Sequence, residues 1–418
     1  MDSAALLRNP RFLTLASFAG FLRGKTTVFP TPFVRPLFFL HFMTENHQVL
    51  YRKYRPKSFE EVIGQEHVIK VLRNALGQGR LSHAYVFSGP RGVGKTTVAR
   101  LIAKAANCKM HGIAREDPHG AMPTIPCNTC ASCIEFDAGA LFNLMEIDAA
   151  STRGIDDVRE LRESVRFAPA KGRYKVYVID EAHQLTKDAF NALLKTLEEP
   201  PEHAIFILAT TELEKLPQTI ISRTQQFDFK RPSVKQIKEK IIRIGGSEGV
   251  SIDESAAETL ALLGDGSMRD AESVLGRVFA VEPSHITASI VERMLGLAPK
   301  TMLRKLFGAV VRGEKGSALA LLSEMVAGGC DLQYVARMMV RFLRNTLLLR
   351  VDPGLEAVLL EEITKEDIDF LKSEAEIFPD NSRIIKGISA FIEAGDMVKR
   401  SPVPQLPLEI AIVEFAGN

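Results

Sequence analysis

A chain of 418 residues, 46% apolar and 25% charged, has room for two to four packed domains and the composition of an ordinary globular protein. Its net charge of +2 excludes a polybasic or polyacidic character, so any nucleic-acid site must be a local patch. No run of 18 consecutive apolar residues occurs, which excludes a membrane-spanning helix.

Residues 1–42 hold one acidic residue, Asp2, among scattered arginines and eight phenylalanines. Residues 1–46 carry +3 and the remainder −1. Such a composition resembles a transit peptide. Met43, followed by Thr44-Glu45-Asn46, would equally be an ordinary start. Residues 1–46 are therefore expected to be an N-terminal extension, disordered or lying ahead of the true start, with the fold beginning near residue 47.

Between residues 58 and 230, β-type runs at Ala84–Ser88, Leu144–Asp148, Lys175–Asp180, Ala204–Thr210 and Gln226–Phe229 alternate with helical patterns. Strands separated by helices imply a mostly parallel sheet with helices on both faces. Val176-Tyr177-Val178-Ile179 is apolar throughout, as a strand buried on both faces should be. An α/β nucleotide domain is expected over 47–231.

Directly after the first run comes Gly89-Pro90-Arg91-Gly92-Val93-Gly94-Lys95-Thr96, a G-x-x-x-x-G-K-[ST] phosphate loop, with a helical pattern over Val98–Ala106 behind it. Gly89, Gly92 and Gly94 let the backbone curl so that N–H groups point at phosphate oxygens. The following helix adds the positive end of its dipole. Lys95 supplies a cation for the outer phosphates and Thr96 a hydroxyl for Mg²⁺, with Thr97 completing the nucleotide-binding positions. The chain is read as binding a nucleoside triphosphate.

Four of the five cysteines follow, at Cys108, Cys127, Cys130 and Cys133. Beside a nucleotide site, this cluster over 108–133 reads as metal-binding in a reducing cytoplasm rather than as disulfides. Two overlapping C-x-x-C units plus Cys108 give four sulfurs, which suits tetrahedral structural Zn²⁺. An iron–sulfur cluster and a redox dithiol are the alternatives, and nothing else suggests electron transfer. His111 and His119 stand in the intervening loop as substitutes for Cys108. Cys330, alone in a helical region, reads as a small buried hydrophobe.

The run ending Ile179-Asp180-Glu181 puts an acidic pair at the C-terminal end of a buried strand, where ligands bind in open α/β sheets. Asp180 would hold Mg²⁺ and Glu181 would polarise the attacking water. Ala182-His183 extends the pair to a DEAH tetrapeptide, but no other helicase motif is visible, and His183 is read as a structural or signalling neighbour. At the next strand tip, Thr211 either orients the lytic water or caps the following helix, and the residues leave both open. Arg223, after Ser222, is either a solvated side chain or a finger that crosses a subunit boundary to a neighbour's γ-phosphate; such fingers are worth ~10³–10⁵ in rate in GTPases.

The pattern changes at Lys230-Arg231-Pro232. Residues 233–281 show only helical periodicity, in three short segments broken at Gly245-Gly246, Gly249 and Gly264-Asp265-Gly266, so a small helical lid is expected over 232–284. Arg269 begins a lid helix and would reach the phosphates from above or pair locally with Asp270 or Glu272. Beyond Glu282-Pro283 come longer amphipathic helices at Thr301–Arg312, Lys315–Ala327, Leu332–Leu349 and Arg383–Arg400, with no sheet signal, so 285–418 should be helical.

With these motifs assembled, residues 50–285 resemble the ATPase subunit of the bacterial DNA polymerase III clamp loader, the gamma/tau family. The resemblance is carried by Tyr51-Arg52-Lys53-Tyr54-Arg55-Pro56 with Phe59-Glu60-Glu61-Val62-Ile63-Gly64-Gln65, by the phosphate loop and by the cysteine cluster just behind its helix. Glu146-Ile147-Asp148-Ala149-Ala150-Ser151 adds to it, as do the DEAH segment with its Leu193–Pro201 tail, Ser222-Arg223 and Gly266–Asp270. It implies an α/β AAA+ P-loop ATPase domain with a parallel sheet, a small helical lid and a C-terminal helical collar, less specifically matched, through which subunits oligomerise. Tyr51 and Arg55 would pack around the adenine. Lys95, Asp180, Glu181, Thr211, Arg223 and Arg269 would form the catalytic set, with ATP, Mg²⁺ (Thr96, Asp180) and Zn²⁺ as cofactors.

The activity implied is that of the replicative clamp loader: ATP binding opens the sliding clamp, and hydrolysis releases it on primer–template DNA, supporting processive replication in the cytoplasm. Partners would be the other subunits of a hetero-pentamer, the clamp and DNA, the last held by phosphate contacts without base readout. Two departures stand out. Thr224 replaces the cysteine of the family's Ser-Arg-Cys, and the Cys108–Cys127 spacing is longer than the family's. The chain stops after the collar and so resembles the short, gamma-like form. Two other readings are a branch-migration-type ring ATPase, which would not need the four-cysteine insertion, and a non-catalytic scaffold subunit. Lys95, Thr96, Asp180 and Glu181 argue against the scaffold.

Overall fold

The alternation read from the sequence builds one five-stranded parallel sheet, of order β2-β3-β4-β1-β5, from β1 (Ala84–Ser88), β2 (Leu144–Asp148), β3 (Lys175–Asp180), β4 (Ala204–Thr210) and β5 (Gln225–Asp228). The computed structural model describes residues 48–110, 125–140, 143–152, 154–360 and 362–416. Four strands have the expected bounds, and β5 starts and ends one residue earlier. β1 and β4 are buried along their whole length, which is why they read as continuous apolar runs.

A short helix, α1 (Leu50–Lys53), precedes α2 (Glu66–Gly77) and α3 (Lys95–Ala106). α2 and α3 cover one sheet face through Tyr85, Phe87, Val178 and Ile207; α4 (Ala131–Asp137) adds Cys133 beside them. The alternate residues Val86, Tyr177, Phe206 and Leu208 face α5 (Ile155–Val165), α6 (Lys187–Glu198) and α7 (Gln218–Ile221). Period-two alternation thus divides the strands between two hydrophobic layers. The Tyr177 and Phe206 rings stack across β3 and β4 at 5.2 Å, a pair worth ~1 kcal/mol beyond its burial. Because β1 lies between β4 and β5, the chain reverses its strand order beside β1, and the crevice opens at the strands' C-terminal ends.

Residues beyond 231 depart from expectation in two places. Gly245-Gly246 does not break a helix: α8 runs from Val234 to Glu248 and ends at Gly249, whose φ is 74°. A Cβ on Gly245 would lie 2.6 Å from Cδ1 of Ile252, so this glycine serves close packing rather than a turn. A second, parallel pair of strands also forms, β6 (Ser251–Ile252) with β7 (His285–Ile286). Two residues are too few to show a period in sequence. The expected boundary at 284/285 falls at the start of β7, whose partner lies within 232–284.

α9 (Glu254–Leu263) and α10 (Met268–Phe279) complete this region; Ser267 caps α10 by accepting the Asp270 N–H at 3.2 Å. The remainder is helical: α11 (Ala288–Leu295), α12 (Lys300–Val311), α13 (Lys315–Ala327), α14 (Leu332–Val351), α15 (Glu356–Leu359), α16 (Lys365–Ala375), α17 (Asn381–Met397) and α18 (Leu406–Phe415). One contiguous hydrophobic cluster runs from Ile237 of α8 to Phe415 of α18. Among the described residues no helix is long and apolar enough to cross a membrane.

Candidate active site

β1 ends at Ser88, and the loop behind it turns on Gly89, Gly92 and Gly94, all at positive φ (136°, 76° and 105°). Gly92 also has no room for a side chain: a Cβ there would lie 1.8 Å from Oγ of Ser267. The lid therefore docks on the loop, and the Met268 N–H donates to the Gly92 carbonyl at 3.2 Å. α3 starts at Lys95 itself, so its N-terminal N–H groups face the loop's hollow. Lys95 is buried and donates from Nζ to the carbonyl oxygens of Gly89 (2.6 Å) and Pro90 (2.7 Å). Burial pushes its pKa down, opposed by the charges of Glu181 and Asp180. Thr96 Oγ1 donates to Asp180 Oδ2 at 3.0 Å, joining the first turn of α3 to the end of β3.

Glu181 follows in the left-handed region, at φ 49°, with its N–H on Asp180 Oδ1 at 3.0 Å. Such a conformation is uncommon for a glutamate and turns its side chain away from the line of β3. Thr211 Oγ1 donates to Glu181 Oε2 at 3.1 Å. Thr211 is thus tied to the acidic pair and does not cap the next helical turn. The Glu212 N–H there is taken by Oγ1 of Thr210 at 3.0 Å.

A cavity of about 620 Å³ opens over these groups. Gly92, Gly94, Lys95, Thr96 and Thr97 line one end with Asp180, Glu181 and Thr211. Tyr51, Arg55 and Arg269 line it from the N-terminal segment and the lid. The Arg269 guanidinium sits 4.9 Å over the Tyr51 ring, and its hydrogen bond to the hydroxyl holds the Tyr51 pKa down. Arg269 thus meets Tyr51 rather than Asp270 or Glu272. Burial, aided by the charge of Arg100, lowers the pKa of Arg55. Gly89 lies beneath the lining, where a Cβ would meet the Phe229 carbonyl at 2.3 Å.

Arg223 does not line this cavity. It pairs with Glu198 at 2.8 Å and donates to the Thr219 carbonyl at 3.0 Å on the surface. Lining residues that escaped the sequence reading as site members include His183, Glu212, Lys240 and Glu272. Glu212 adjoins Thr211 and was within reach of it. Lys240 and Glu272 lie on α8 and α10, pair at 2.7 Å, and meet the site only through the tertiary fold; burial pushes the Glu272 carboxyl up.

The cysteine cluster closes behind α3. The four sulfurs of Cys108, Cys127, Cys130 and Cys133 all lie within 4.8 Å of one another. A tetrahedral Zn–S₄ centre at the usual bond length spaces its sulfurs by ~3.8 Å, so the donor set fits zinc in number, element and size. Asn128, at φ 58°, forms the tight turn between the first two ligands of the run. The Cys127 N–H points at Cys108 Sγ (3.5 Å) and the Cys130 N–H at Cys127 Sγ (3.4 Å). Burial raises the Cys127 thiol, but hydrogen bonds from Thr129 and the Cys130 N–H outweigh it and bring its pKa to about 6. Burial pushes Cys133 up. Cys108 is therefore in the cluster despite the long spacing; His111 and His119 lie outside the described residues. Lys104, buried on α3, joins Asp137 of α4 at 2.6 Å and so ties the cluster to the phosphate-loop helix.

Two family descriptions match the chain: "DNA polymerase III, delta subunit" over residues 64–233 and "DNA polymerase III subunits gamma and tau domain III" over residues 286–417. The DNA polymerase III subunit gamma of Buchnera aphidicola (subsp. Acyrthosiphon pisum) is 39% identical over 71% of this chain and 80% of its own length. The chain belongs to the DNA polymerase III gamma/tau family. The tau subunit of Bacillus subtilis is 41% identical over 88% of this chain, and that of Escherichia coli 41% identical over 74%. This gamma/tau chain spans 63% and 46% of the length of those two relatives. Among solved structures, the Thermotoga maritima RuvB Holliday junction branch migration motor aligns at a TM-score of 0.44 and 25% identity, covering 63% of this chain and 80% of that one, too loosely to bear on function.

Proposed function

We propose that this gamma/tau chain is an ATP-hydrolysing subunit of a replicative clamp loader. One observation carries the ATPase reading: Lys95, Thr96, Asp180, Glu181 and Thr211 converge on one cavity at the ends of β1, β3 and β4. Lys95 exchanges its loop carbonyls for the β- and γ-phosphate oxygens, which bind an ammonium more strongly than neutral acceptors do. Backbone N–H groups at the start of α3 hold the same phosphates. Thr96 and Asp180, already hydrogen-bonded, are the residues that would hold Mg²⁺, which when bound neutralises charge on the phosphates. Glu181 takes up a water proton, with Thr211 fixing its carboxylate. Arg269 leaves the Tyr51 ring to reach the γ-phosphate, so lid position reports nucleotide state. Tyr51 and Arg55 flank the nucleobase end. The four cysteines hold a structural zinc.

The same reading gives the chain its partners. α17 and α18 leave Ile385, Ile392, Leu406, Ile410 and Val413 exposed, with helical spacing on each helix. That apolar surface supports oligomerisation through the C-terminal helices, in a hetero-pentamer that grips the sliding clamp and threads primer–template DNA in the cytoplasm. Arg223, on the surface and outside its own cavity, is positioned to serve a neighbour. The test is ATP turnover by the chain assembled with its partner subunits, with and without clamp and primed DNA. Stimulation by clamp plus primed DNA is expected. Equal turnover in their absence refutes the clamp-loader reading, and no turnover at all refutes the ATPase reading.

A further inference from the structure

His183 is nearly enclosed, with its side chain 8% exposed, yet it lines the nucleotide cavity. Its Nδ1 lies 3.0 Å from Thr210 Oγ1 and 3.5 Å from Glu181 Oε2. On the other side of the ring, Nε2 lies 3.2 Å from Glu212 Oε1. Glu212 is held in turn by Lys215 at 2.6 Å, and that contact holds its carboxyl below the usual range. The imidazole therefore stands between two carboxylates from different strand tips, Glu181 after β3 and Glu212 after β4. It shares Glu181 with Thr211, which bonds the same oxygen.

A carboxylate on a left-handed residue at a strand tip has several open rotamers, and only one presents it to a water beside the γ-phosphate. A displacement of ~1 Å at such a group can cost on the order of 10²-fold in rate. Thr211 alone leaves Glu181 Oε2 with a single tether. A planar ring wedged against the same oxygen and anchored at its far side to Glu212 supplies a second, rigid one. A merely structural histidine would be satisfied by Thr210 and would have no reason to face the cavity.

We propose that His183 is a positioning residue for hydrolysis: it sets the orientation of the Glu181 carboxylate and braces it against Glu212 and, through that residue, Lys215. This rests on the assignment of Glu181 as the group that activates water. The ring acts through Glu181 rather than on the nucleotide itself, so its effect is confined to the step that Glu181 serves, and substrate affinity is left alone.

The experiment uses the full chain assembled with its partner subunits, clamp and primed DNA, and four variants, His183→Ala, His183→Asn, His183→Gln and Glu181→Gln. Steady-state ATP turnover is measured with equilibrium binding of a fluorescent ATP analogue and thermal unfolding. Removal of the ring in His183→Ala is expected to lower kcat ~10–100-fold with ATP affinity within about threefold of the parent. Asn places an amide where Nδ1 stood, on the Thr210 and Glu181 side, and should recover most of kcat. Gln places its amide towards Glu212 and should recover little. Parental kcat in His183→Ala beside a dead Glu181→Gln overturns the role given to His183 alone. Equal loss of binding, stability and turnover in all three His183 variants also overturns it, in favour of a purely structural histidine. Parental turnover in Glu181→Gln overturns the site assignment itself, and the role of His183 with it.

Discussion

Lys95 shows how a single side chain can be legible in sequence while its environment is not. The loop motif fixes its place because the glycine spacing and the start of α3 are local. Its buried ammonium, bonded to two carbonyls of its own loop, depends on the fold. A triphosphate offers the same ammonium charged acceptors, and a hydrogen bond to a charged group is worth ~1.5–3 kcal/mol. Lys95→Ala should therefore weaken ATP binding by about 10–100-fold and remove turnover, while thermal unfolding stays close to the parent. Titration with a fluorescent nucleotide measures this, and unchanged affinity would refute the phosphate role. Asp180, Glu181 and Thr211 were legible for the same local reason, each at the tip of a buried strand. Thr211's choice between water and cap was not, because it depends on β3 bringing Glu181 within reach of its hydroxyl and on Glu212, not Thr211, standing at the head of the next helical turn. Lys240 and Glu272 carry no signal at all: each is one charged residue on an amphipathic helix until α8 and α10 face the cavity.

Helices and strands differ in how much of them the sequence shows. β1, β3 and β4 are buried on both faces, so their apolar runs end where the strands end; β2, at the sheet edge, is exposed over most of its length. α18, Leu406–Phe415, is apolar on nearly every side and lacks a 3.6-residue period, which hides it from a periodicity argument. α16, shorter and more polar than α17, is held by Asp367, 3% exposed, which accepts from Lys300 and Arg304 of α12 at 2.5 Å each. Burial raises the Asp367 carboxyl, but these bonds outweigh it and leave its pKa below the ordinary aspartate value. A depressed carboxylate contributes stability above its unfolded pKa and loses it as pH falls through the folded one. Asp367→Asn should thus lower stability by ~1–3 kcal/mol at pH 7, and the gap to the parent should close between pH 4 and lower values. A gap that is constant with pH in urea unfolding would show that the ion pair contributes nothing. The cysteine element was legible from spacing. It makes its own prediction: about one zinc per purified chain, with chelation loosening α4, since structural zinc contributes ~10–16 kcal/mol in small model sites. Iron in metal analysis, or full zinc affinity in Cys108→Ser, would overturn the four-sulfur assignment.

At the scale of the whole molecule, the cavity contains every group assigned to hydrolysis except one. Arg223 lies outside it, paired with Glu198 on the surface after α7. An exposed pair of this kind is worth ~0–1 kcal/mol and is easily exchanged for a better partner. A γ-phosphate presented by an adjacent subunit is such a partner, because bidentate contact with an anion suits a guanidinium. If Arg223 acts across an interface, Arg223→Ala should leave ATP binding by the lone chain within about twofold of the parent, since no contact to its own nucleotide is lost. In the assembled complex the same change should lower clamp- and DNA-stimulated turnover by ~10³-fold or more. A mixing experiment separates this from a distant structural effect. Complexes built from Arg223→Ala and Glu181→Gln chains together contain some interfaces where a sound Arg223 meets a sound Glu181, and turnover should return in proportion to their statistical share. A site completed within one chain makes the opposite prediction: the lone Arg223→Ala chain loses its ATP affinity and mixing restores nothing, which would place the arginine in its own subunit's machinery.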